Sequence, residues 1–384
     1  MTRLRVAIVS DALYPWHTGG KEVRYHQLVN ALPEFDIDVV VYSMKWWDVT
    51  PEVVYGKSGS LTDVAICPRV AMYRDTRRSI AQALLFAAST FRLLTRRFDV
   101  IEADHMPYLQ LLPLRVVAWL KGVPLVVTWH EVWGREGWRS YIGRLGFAAA
   151  FVERISIKLP DDIVAVSNGT GAKLRAMGAK GDRVVVVPTA LDLERLQNST
   201  PLTTAPELLF VGRLIEHKHA DLAVEAVKVL TERGLDVHLG IVGVGPEEPR
   251  LRTQVANMGL GDRVTFHAVL DTQEELWSLI QGSRVLLAPS IREGFGLVVA
   301  ESLALGTPVV CALHPENESS NLVSPATGSL VTALDARALA DGAEYWLNDE
   351  SSRIDRVSEF LREHAELTAG GMAASYVELF KRVS

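Results

Sequence analysis

The sequence predicts an α/β protein built from two Rossmann-like, doubly wound domains. Short runs of β-branched and apolar residues alternate with segments of helical pattern, which is typical of βαβ units. Several of these runs are apolar at nearly every position, as parallel strands covered on both faces require. The alternation occurs twice, on either side of a polar segment with two prolines at residues 197–206.

The predicted strands are short in both halves of the chain. In the first half they are Val6–Val9, Val39–Tyr42, Val100–Glu102, Leu125–Thr128, Ile163–Val166 and Val184–Val187. In the second half they are Leu208–Val211, Val237–Val242, Val264–His267, Val285–Ala288 and Pro308–Val310, with helices predicted at Asp221–Arg233, Glu247–Met258 and Gly296–Leu305.

Domain boundaries follow from this pattern and from the polar segment. We predict a first domain over residues 1–195, a linker over 196–206 and a second domain over 207–364. Open α/β sheets bind ligands outside the carboxyl ends of their strands. Two such sheets that face each other would therefore form a ligand-binding cleft between the domains.

Composition narrows the class of protein. The 384 residues are 48% hydrophobic and 22% charged, which suits folded domains rather than a disordered chain. The two cysteines, Cys67 and Cys311, are too few for a disulfide framework or a thiolate metal cluster. The apolar run Leu4–Val9 is shorter than a secretory segment, and no run reaches the roughly 20 apolar residues of a membrane span. We expect a cytoplasmic protein, at most attached to the inner membrane face.

Charge is distributed unevenly between the two predicted domains. The net charge is −6, which argues against a nucleic-acid-binding protein. Residues 1–195 hold 25 Lys and Arg against 20 Asp and Glu, a net +5, whereas the remainder holds 15 against 26, a net −11. The basic first domain is therefore expected to face an anionic partner.

The segment Pro289–Val309 carries the most chemical information. A strand leads into a loop with two glycines, Gly294 and Gly296, and a helix starts near Gly296 or Leu297. Glycines allow close backbone approach, and a helix start offers free N–H groups to a phosphate. Two acidic residues flank this helix start, Glu293 in the loop and Glu301 in the helix. This arrangement suits a nucleotide sugar, with one carboxylate for the sugar hydroxyls and one for the ribose.

This segment resembles the signature of the family 4 retaining glycosyltransferases, which have the GT-B fold. The residues that match it are Glu293-Gly294-Phe295-Gly296-Leu297, Glu301 and Gly306-Thr307-Pro308-Val309. Other segments also resemble the family, namely Phe210-Val211-Gly212-Arg213-Leu214 with Lys218, the glycine pair Gly19-Gly20, and Trp129-His130-Glu131.

The resemblance implies transfer of a hexose-type sugar from a nucleoside-diphosphate sugar to an acceptor hydroxyl with retention of configuration. It implies front-face attack by the acceptor, no bound metal and no cofactor beyond the sugar nucleotide as co-substrate. The second domain would hold the donor, and the first would present an acceptor glycan, a lipid-linked sugar or a small molecule. The alternatives are a sugar-nucleotide epimerase or phosphorylase of GT-B fold, or a non-catalytic sugar-binding protein.

The resemblance also assigns roles to residues. Arg213 and Lys218 would stabilise the charge on the departing diphosphate, and His130 would contact the sugar at the reaction centre. Glu293 would bind sugar hydroxyls, a role that its glycine loop suits better than that of a nucleophile. The expected donor-binding residues are Gly19, Gly20, Gly212, Arg213, Lys218, Gly243, Glu293, Gly294, Phe295, Gly296, Leu297 and Glu301.

Some positions depart from the family pattern, which leaves the identity of the donor open. Glu131 replaces an aspartate, Pro188-Thr189-Ala190 replaces Pro-Asn-Gly, and no aspartate follows Gly243. The segment His314–Val323 lacks the usual glycine-rich form. His217 and His219 have a spacing that can bind a metal, but no carboxylate or cysteine accompanies them at a suitable distance, and we predict no metal site.

The acceptor side offers two interpretations. Trp133, Trp138 and Lys21 are the predicted acceptor-binding residues. Six arginines, at positions 74, 77, 78, 92, 96 and 97, surround an apolar stripe of helical spacing made by Ile80, Leu84, Ala87, Phe91, Leu94 and Phe98. The stripe predicts either a peripheral contact with anionic lipid or a helix that packs on the core with a solvated basic face. The resemblance further implies that a terminal helix, here within residues 365–384, crosses back to the first domain.

Overall fold

A computed structural model describes residues 3–384, with the exception of 18, 49–51, 56–60, 75–76, 268–269, 271 and 350. Its contacts divide the chain into two units. The first unit comprises Met1–Ala190 and Glu366–Ser384, and the second comprises Leu191–Ala365.

A parallel sheet forms the centre of the first unit. Its strands are β1 (Leu4–Val9), β2 (Ile37–Met44), β3 (Glu52–Tyr55), β4 (Leu61–Cys67), β7 (Val100–Asp104), β8 (Leu125–Trp129), β9 (Asp162–Ala165) and β10 (Val184–Val186), while β5 (Tyr73–Arg74) and β6 (Arg77–Arg78) pair separately as a short hairpin. The order in the sheet is β10-β9-β8-β7-β1-β2-β4-β3, and the pairing is parallel except where β3 lies antiparallel to β4. β1 is buried at the centre, so the loop that follows it lies among the carboxyl ends of its neighbours.

Helices cover both faces of this sheet. They are α1 (Gly20–Ala31), α2 (Ile80–Ser89), α3 (Leu111–Lys121), α4 (Gly134–Ile142), α5 (Gly146–Ser156) and α6 (Asn168–Ala176). Crossover connections between parallel strands are right-handed. The chain moves in one direction across the sheet from β1 to β2, and in the opposite direction from β4 to β7, β8 and β9. The crossover rule therefore places α2, α3 and α5 on one face of the sheet and α1 on the opposite face.

The second unit has a sheet in which the pairing is parallel throughout. Its strands are β11 (Leu208–Val211), β12 (Leu239–Val242), β13 (Val264–His267), β14 (Val285–Ala288), β15 (Val309–Ala312) and β16 (Gly328–Val331), in the order β13-β12-β11-β14-β15-β16. Its helices are α7 (Leu193–Gln197), α8 (Ala220–Glu232), α9 (Glu248–Asn257), α10 (Gln273–Gly282), α11 (Leu297–Ala304), α12 (Ala336–Leu347) and α13 (Arg353–Glu363). The order of the strands reverses between the neighbouring strands β11 and β14, and in sheets of this kind ligands bind at the carboxyl ends of the strands at such a point.

The terminal helix α14 (Ala369–Val383) belongs to the first unit. Tyr376 and Phe380 of this helix are fully buried in the core of that unit. The Oη of Tyr376 lies 2.6 Å from Oγ1 of Thr128 and accepts a hydrogen bond from Arg24 at 3.2 Å. Within the described residues, none of the helices combines the length and apolar character needed to cross a bilayer.

The observed boundary between the units differs from the predicted one. It falls between Ala190 and Leu191, whereas the prediction ended the first domain at residue 195. The predicted linker packs on the second unit, since the N–H of Leu202 donates to the carbonyl of Ser278 at 2.9 Å. The polar composition and the two prolines therefore indicate a surface segment that packs on the second unit, and not a flexible linker between the units.

Candidate functional site

Two loops at the carboxyl ends of β11 and β14 lie side by side in the second unit. The N–H of Ile291, in the loop after β14, donates to the carbonyl of His217, in the loop after β11, at 3.0 Å. Oγ of Ser290 donates to the same carbonyl at 3.3 Å. These bonds bring the predicted catalytic residues of both loops together.

Lys218 and Glu293 form an ion pair across these loops. The backbone of Glu293 is fixed on its other side, because its N–H donates to Glu316 at 3.1 Å and its carbonyl accepts from Glu318 at 3.0 Å. The segment His314–Val323, which departs from the family pattern, is thus the part of the chain that positions Glu293. The pair places a cation and a carboxylate beside each other, both only partly exposed.

Helix α11 begins immediately after Gly296, at Leu297, as predicted. Gly296 has φ +89°, and a Cβ atom on it would lie 2.2 Å from Cβ of Ser319. An L-residue would be strained there and would collide with its neighbour, so the sequence requires glycine. The turn leaves the first N–H groups of α11 beside Gly294 and Phe295, which are half-buried, and these groups can receive an anion.

The loop after β11 concentrates positive charge. Arg213 is exposed, and in the described part of the chain its guanidinium forms no ion pair. Burial, together with Lys218, Arg292 and Arg213, lowers the pKa of His217 to about 3. A neutral His217 among these cations indicates a positive potential that suits a diphosphate.

Glu301 is buried in α11 rather than exposed on a helix face. It is 2% exposed, its Oε1 accepts from Gln273 at 2.9 Å, and its Oε2 is buried without a hydrogen-bond partner in the described structure. Burial raises the pKa of Glu301 to about 7. A buried oxygen without a partner can accept a hydrogen bond from a hydroxyl group of a bound molecule.

Replacing Glu301 by glutamine is expected to stabilise the ligand-free protein above pH 7. The unfolded chain ionises this group near pH 4.5 and the folded chain near pH 7, so wild-type stability falls as pH rises between these values. The gain in the variant is therefore close to zero near pH 4 and up to about 3 kcal/mol at pH 8. Urea unfolding of both proteins at the two pH values measures it, and an equal difference at both would contradict a buried, titrating Glu301.

Two of the other glycines assigned to the donor lie close to neighbouring groups in this conformation. Gly243 has φ +146°, and a Cβ on it would lie 1.9 Å from the carbonyl oxygen of Gly212, so this glycine lets two strand-end loops touch. A Cβ on Gly19 would lie 2.5 Å from Oε2 of Glu22. The start of α1, at Gly20, is therefore covered by a carboxylate that an anion would have to displace.

A buried charge cluster lies at the carboxyl ends of β1 and β7 in the first unit. Asp11 and Asp104 are both fully buried, and Nζ of Lys21 lies 3.0 Å from the former and 2.5 Å from the latter. Arg78 also pairs with Asp11, and Gln82 donates to it at 3.0 Å. Burial raises the pKa of Asp104, but Lys21, His105 and His130 together outweigh it and hold that pKa well below its usual range.

Lys21, a predicted acceptor-binding residue, lies at the centre of this cluster. Its side chain is 13% exposed and its charge is matched by two carboxylates. Burial opposes its charge, yet Asp104 and Asp11 raise the pKa of Lys21. In this structure the ammonium group of Lys21 is therefore bound by carboxylates of the protein itself.

His130 lies beside this cluster, directly after β8. Its Nε2 is 3.7 Å from Oδ1 of Asp104, and the ring of His105 lies between it and Trp129 at centroid distances of 5.6 and 5.3 Å. Burial holds the pKa of His130 well below its usual value, although Asp104 opposes this. His130 is consequently neutral near pH 7, and its partly exposed ring can exchange a hydrogen bond with a ligand.

The donor atoms of Asp104, His105 and His130 lie within 4.8 Å of one another, a geometry that can attract a metal ion. A cation there would meet Lys21, whose ammonium already occupies Oδ2 of Asp104. The charge balance of this cluster therefore does not suit a metal ion.

Glu153 organises the aromatic segment that was predicted to bind the acceptor. This buried carboxylate accepts from the N–H groups of Trp133 and Gly134, both at 2.9 Å, from Nε1 of Trp138 at 3.1 Å and from Tyr108 at 2.9 Å. Trp138 is 8% exposed and its N–H is satisfied, so it supports the loop, and its contact with an acceptor stays a prediction. Trp133 is half-buried and keeps part of its surface accessible.

The sequence reasoning missed the partners that hold the predicted residues in place. Asp104 ends β7 and Asp11 lies two residues after β1, close to the position that singled out His130, so the strand-end rule could have found them. Glu153 and Gln273 lie within helices and carry no such signal.

Both units are Rossmann-like, and the second carries cations and an open helix start at the ends of its strands. These features define a glycosyltransferase of the GT-B fold. A family model described as "Glycosyltransferase Family 4" matches residues 18–195, and one described as "Glycosyl transferases group 1" matches residues 193–363. The chain belongs to the family 4 glycosyltransferases.

Individual relatives agree with this assignment. A 2-deoxystreptamine glucosyltransferase from Streptomyces kanamyceticus is 30% identical over 77% of this chain and 82% of its own length. The fold matches that of a sucrose-phosphate synthase from Thermosynechococcus elongatus with a TM-score of 0.78, 21% identity and 99% coverage of both chains. It also matches Anabaena HepE in complex with UDP-glucose, with a TM-score of 0.70 and 15% identity over 99% of this chain and 100% of that one.

Other curated relatives are matched over less of their length. The chain spans about half of two of them, with 52% of one and 40% of the other aligned.

Proposed function

We propose that this glycosyltransferase moves a hexose-type sugar from a nucleoside-diphosphate sugar to an acceptor hydroxyl with retention of configuration. The observation that carries the proposal is the pairing of Lys218 with Glu293 at the glycine turn that opens α11. A cation, a carboxylate and a helix start lie together, which matches the diphosphate and the hydroxyl groups of such a donor.

The diphosphate would be held by Arg213, Lys218 and the first N–H groups of α11. Negative charge accumulates on this leaving group as the glycosidic bond breaks, and fixed cations that meet it lower the barrier. When the phosphate takes over Lys218, the carboxylate of Glu293 is released to accept hydrogen bonds from sugar hydroxyls. Glu301 would accept a hydrogen bond from a ribose hydroxyl, because its Oε2 is buried and has no hydrogen-bond partner in the described structure.

The first unit would contribute His130 to the contact with the transferred sugar, as the family resemblance implies. A neutral imidazole suits hydrogen bonding to a hydroxyl better than proton donation to a leaving group. The proton of the attacking acceptor hydroxyl would then pass to the departing phosphate, as front-face attack requires. Neither a covalent sugar–enzyme bond nor a cofactor is part of this mechanism.

Metal independence is part of the proposal. Arg213 and Lys218 can supply the positive charge that a divalent cation supplies to a diphosphate in other sites. Lys21 at the Asp104 carboxylate disfavours a cation in the first unit.

A single assay tests transfer, stereochemistry and metal use together. UDP-glucose is the first donor to supply, since HepE binds it in the matched structure and the matched glucosyltransferase is named for the same sugar. We expect nucleotide release that depends on an acceptor, continues in EDTA, and gives a product with the anomeric configuration of the donor by NMR.

Other outcomes distinguish the alternatives. An epimerised sugar nucleotide without transfer would indicate an epimerase, and tight binding without release would indicate a sugar-binding protein. An inverted product would overturn the retaining mechanism. Further donors with other bases and hexoses, with several acceptor classes, extend the same assay if UDP-glucose is inactive.

A further inference from the structure

Large apolar side chains are exposed mainly on one part of the first unit. Of the 22 large hydrophobic residues exposed in the described chain, 13 lie between residues 80 and 155. They belong to α2, to the 3₁₀ segment Thr90–Thr95 that continues it, to α3, and to α5 with the turn before it. Soluble proteins rarely concentrate exposed apolar surface in this way without a partner.

The exposed residues follow helical spacing on faces opposite the core. Leu112, Val116 and Trp119 line the outer face of α3, and Phe147 and Phe151 line that of α5. The buried positions of the same helices pack inward on the sheet. α3 is therefore apolar on two faces, of which the core needs only one, and the apolar face of α5 is its outer face.

The fold brings these outer faces to one side of the molecule. α2, α3 and α5 cover the same face of the first sheet, and the turn Tyr108–Gln110 packs against both α2 and α5. We call the outer surface of these three helices and of Thr90–Thr95 the basic apolar face. It lies on the side of the sheet opposite to α1, which packs against α14.

This face carries an excess of positive charge. Its three helices, Thr90–Thr95 and the residues that flank α5, at 143–145 and 157–158, contain six Lys and Arg and one acidic residue, Glu153, which is fully buried. One of the six cations, Arg115, pairs with Asp161. Arg144, Arg154 and Lys158 are exposed and form no ion pair within the described residues. Apolar groups bordered by unpaired cations complement an anionic lipid surface.

The predicted apolar stripe is exposed at most of its positions. Ile80, Leu84, Phe91 and Leu94 are exposed, so they do not pack on the core as the second interpretation required. Ala87 and Phe98 are buried and are the exceptions. The side chains of Arg74 and Arg77, named in the same prediction, lie outside the described residues.

We propose that the basic apolar face docks on the surface of an anionic lipid bilayer. The apolar side chains would enter the interface, while the arginines and lysines would meet the headgroups. A second copy of the chain is a poorer occupant, because two positive faces repel each other. The proposal goes beyond the transfer reaction and holds for any donor or acceptor.

Vesicle flotation of the full chain tests the proposal. The vesicles contain phosphatidylcholine alone or with about one third phosphatidylglycerol, at low salt and at about 0.5 M salt. Wild-type protein is expected to partition to anionic vesicles about tenfold better than to neutral ones, and high salt should weaken this preference. Equal binding to both vesicle types, or no binding to either, would overturn the proposal.

Variants locate the contact. The triple variant Trp119→Ser/Phe147→Ser/Phe151→Ser is expected to lose about tenfold or more of the binding to anionic vesicles. The matched control Tyr345→Ser/Ile354→Ser removes side chains that are 62% and 75% exposed in the second unit, and it should float like wild type. Flotation of the triple variant at the wild-type level would place any lipid contact elsewhere and contradict the proposal.

Two further measurements keep the result interpretable. Arg144→Glu/Arg154→Glu changes only exposed positions, so it should stay folded and lose the preference for anionic lipid. Gel filtration without lipid detects self-association, and a wild-type dimer that the triple variant converts to monomer would assign the face to a second copy instead. Sugar-nucleotide turnover with a water-soluble acceptor is measured separately, so failure of docking and failure of the proposed function are distinguished.

Discussion

Replacing Lys218 by alanine is expected to lower kcat/KM for sugar transfer by about 10²–10³-fold. The ammonium of Lys218 is the one cation that the described structure places directly on the carboxylate of Glu293. In the proposed reaction it moves to the diphosphate, where it stabilises charge that develops mainly in the transition state. Most of the loss should therefore lie in kcat, with a smaller effect on donor affinity. Steady-state release of the nucleotide measures both parameters.

A control variant separates this effect from a general loss of positive charge. Lys228→Ala removes a half-exposed lysine of α8 whose nearest carboxylate, in Glu232, is 3.9 Å away. This control is expected to retain wild-type kinetics. If Lys218→Ala stays within about threefold of wild type, Lys218 does not meet the leaving group, and the assignment of the donor site fails.

Replacing Lys21 by methionine is expected to destabilise the first unit by about 3–5 kcal/mol. The substitution leaves Asp104 without its nearest cation and Asp11 with Arg78 alone, and both carboxylates remain buried. An unpaired buried charge costs far more than the net gain of the pair that it replaces. Denaturant unfolding at pH 7, followed by tryptophan fluorescence, measures the change, since seven of the nine tryptophans lie in the first unit.

The pH dependence of this loss has a defined sign. Burial raises the folded-state pKa values of Asp11 and Asp104, but Lys21 together with Arg78 at Asp11 and with His105 at Asp104 lowers them overall, so wild type keeps this stabilisation down to about pH 4. In Lys21→Met the buried carboxylates without their cation take up protons as the pH falls, so the difference between the variant and wild type should shrink from pH 7 towards pH 3.

Two companions test the origin of the destabilisation. The double variant Lys21→Met/Asp104→Asn should recover part of the loss, since it removes one of the stranded charges. Arg3→Met breaks an exposed pair with Asp36 and should cost less than about 1 kcal/mol. A loss in Lys21→Met that is unchanged by both acid and the second substitution would assign it to packing rather than charge.

The elements closest to the site could be predicted from sequence because local rules determine them. β1, β8, β11 and β14 are apolar at nearly every position, so their ends were predicted within one or two residues. The strands near the edges of the sheets were harder to predict. β4 contains threonine and aspartate and β16 contains glycine and serine, since strands near an edge have less need of continuous apolar character.

Side-chain partners could not be predicted in the same way. Lys21 and Asp104 are 83 positions apart in sequence, and a lysine in the first turn of a helix usually faces solvent. Trp138 presents a similar difficulty, because an aromatic residue in a basic segment suits a ligand pocket as well as a core. In the structure, Trp138 donates a hydrogen bond to the buried carboxylate of Glu153. The position of Glu153 within α5 did not indicate this contact in the sequence.

The return of α14 to the first unit constrains how this protein is made. The core of that unit contains Tyr376 and Phe380, and the hydroxyl of Tyr376 meets Thr128 and Arg24 in the interior. During synthesis on the ribosome, residues 3–190 must therefore wait, with an incomplete core, until the whole second unit has been translated. Cutting the gene at the boundary near residue 190 would remove Tyr376, the buried partner that Arg24 and Thr128 share. A fragment for expression of the first unit should instead carry residues 366–384, joined to it by a short linker or supplied as a separate peptide.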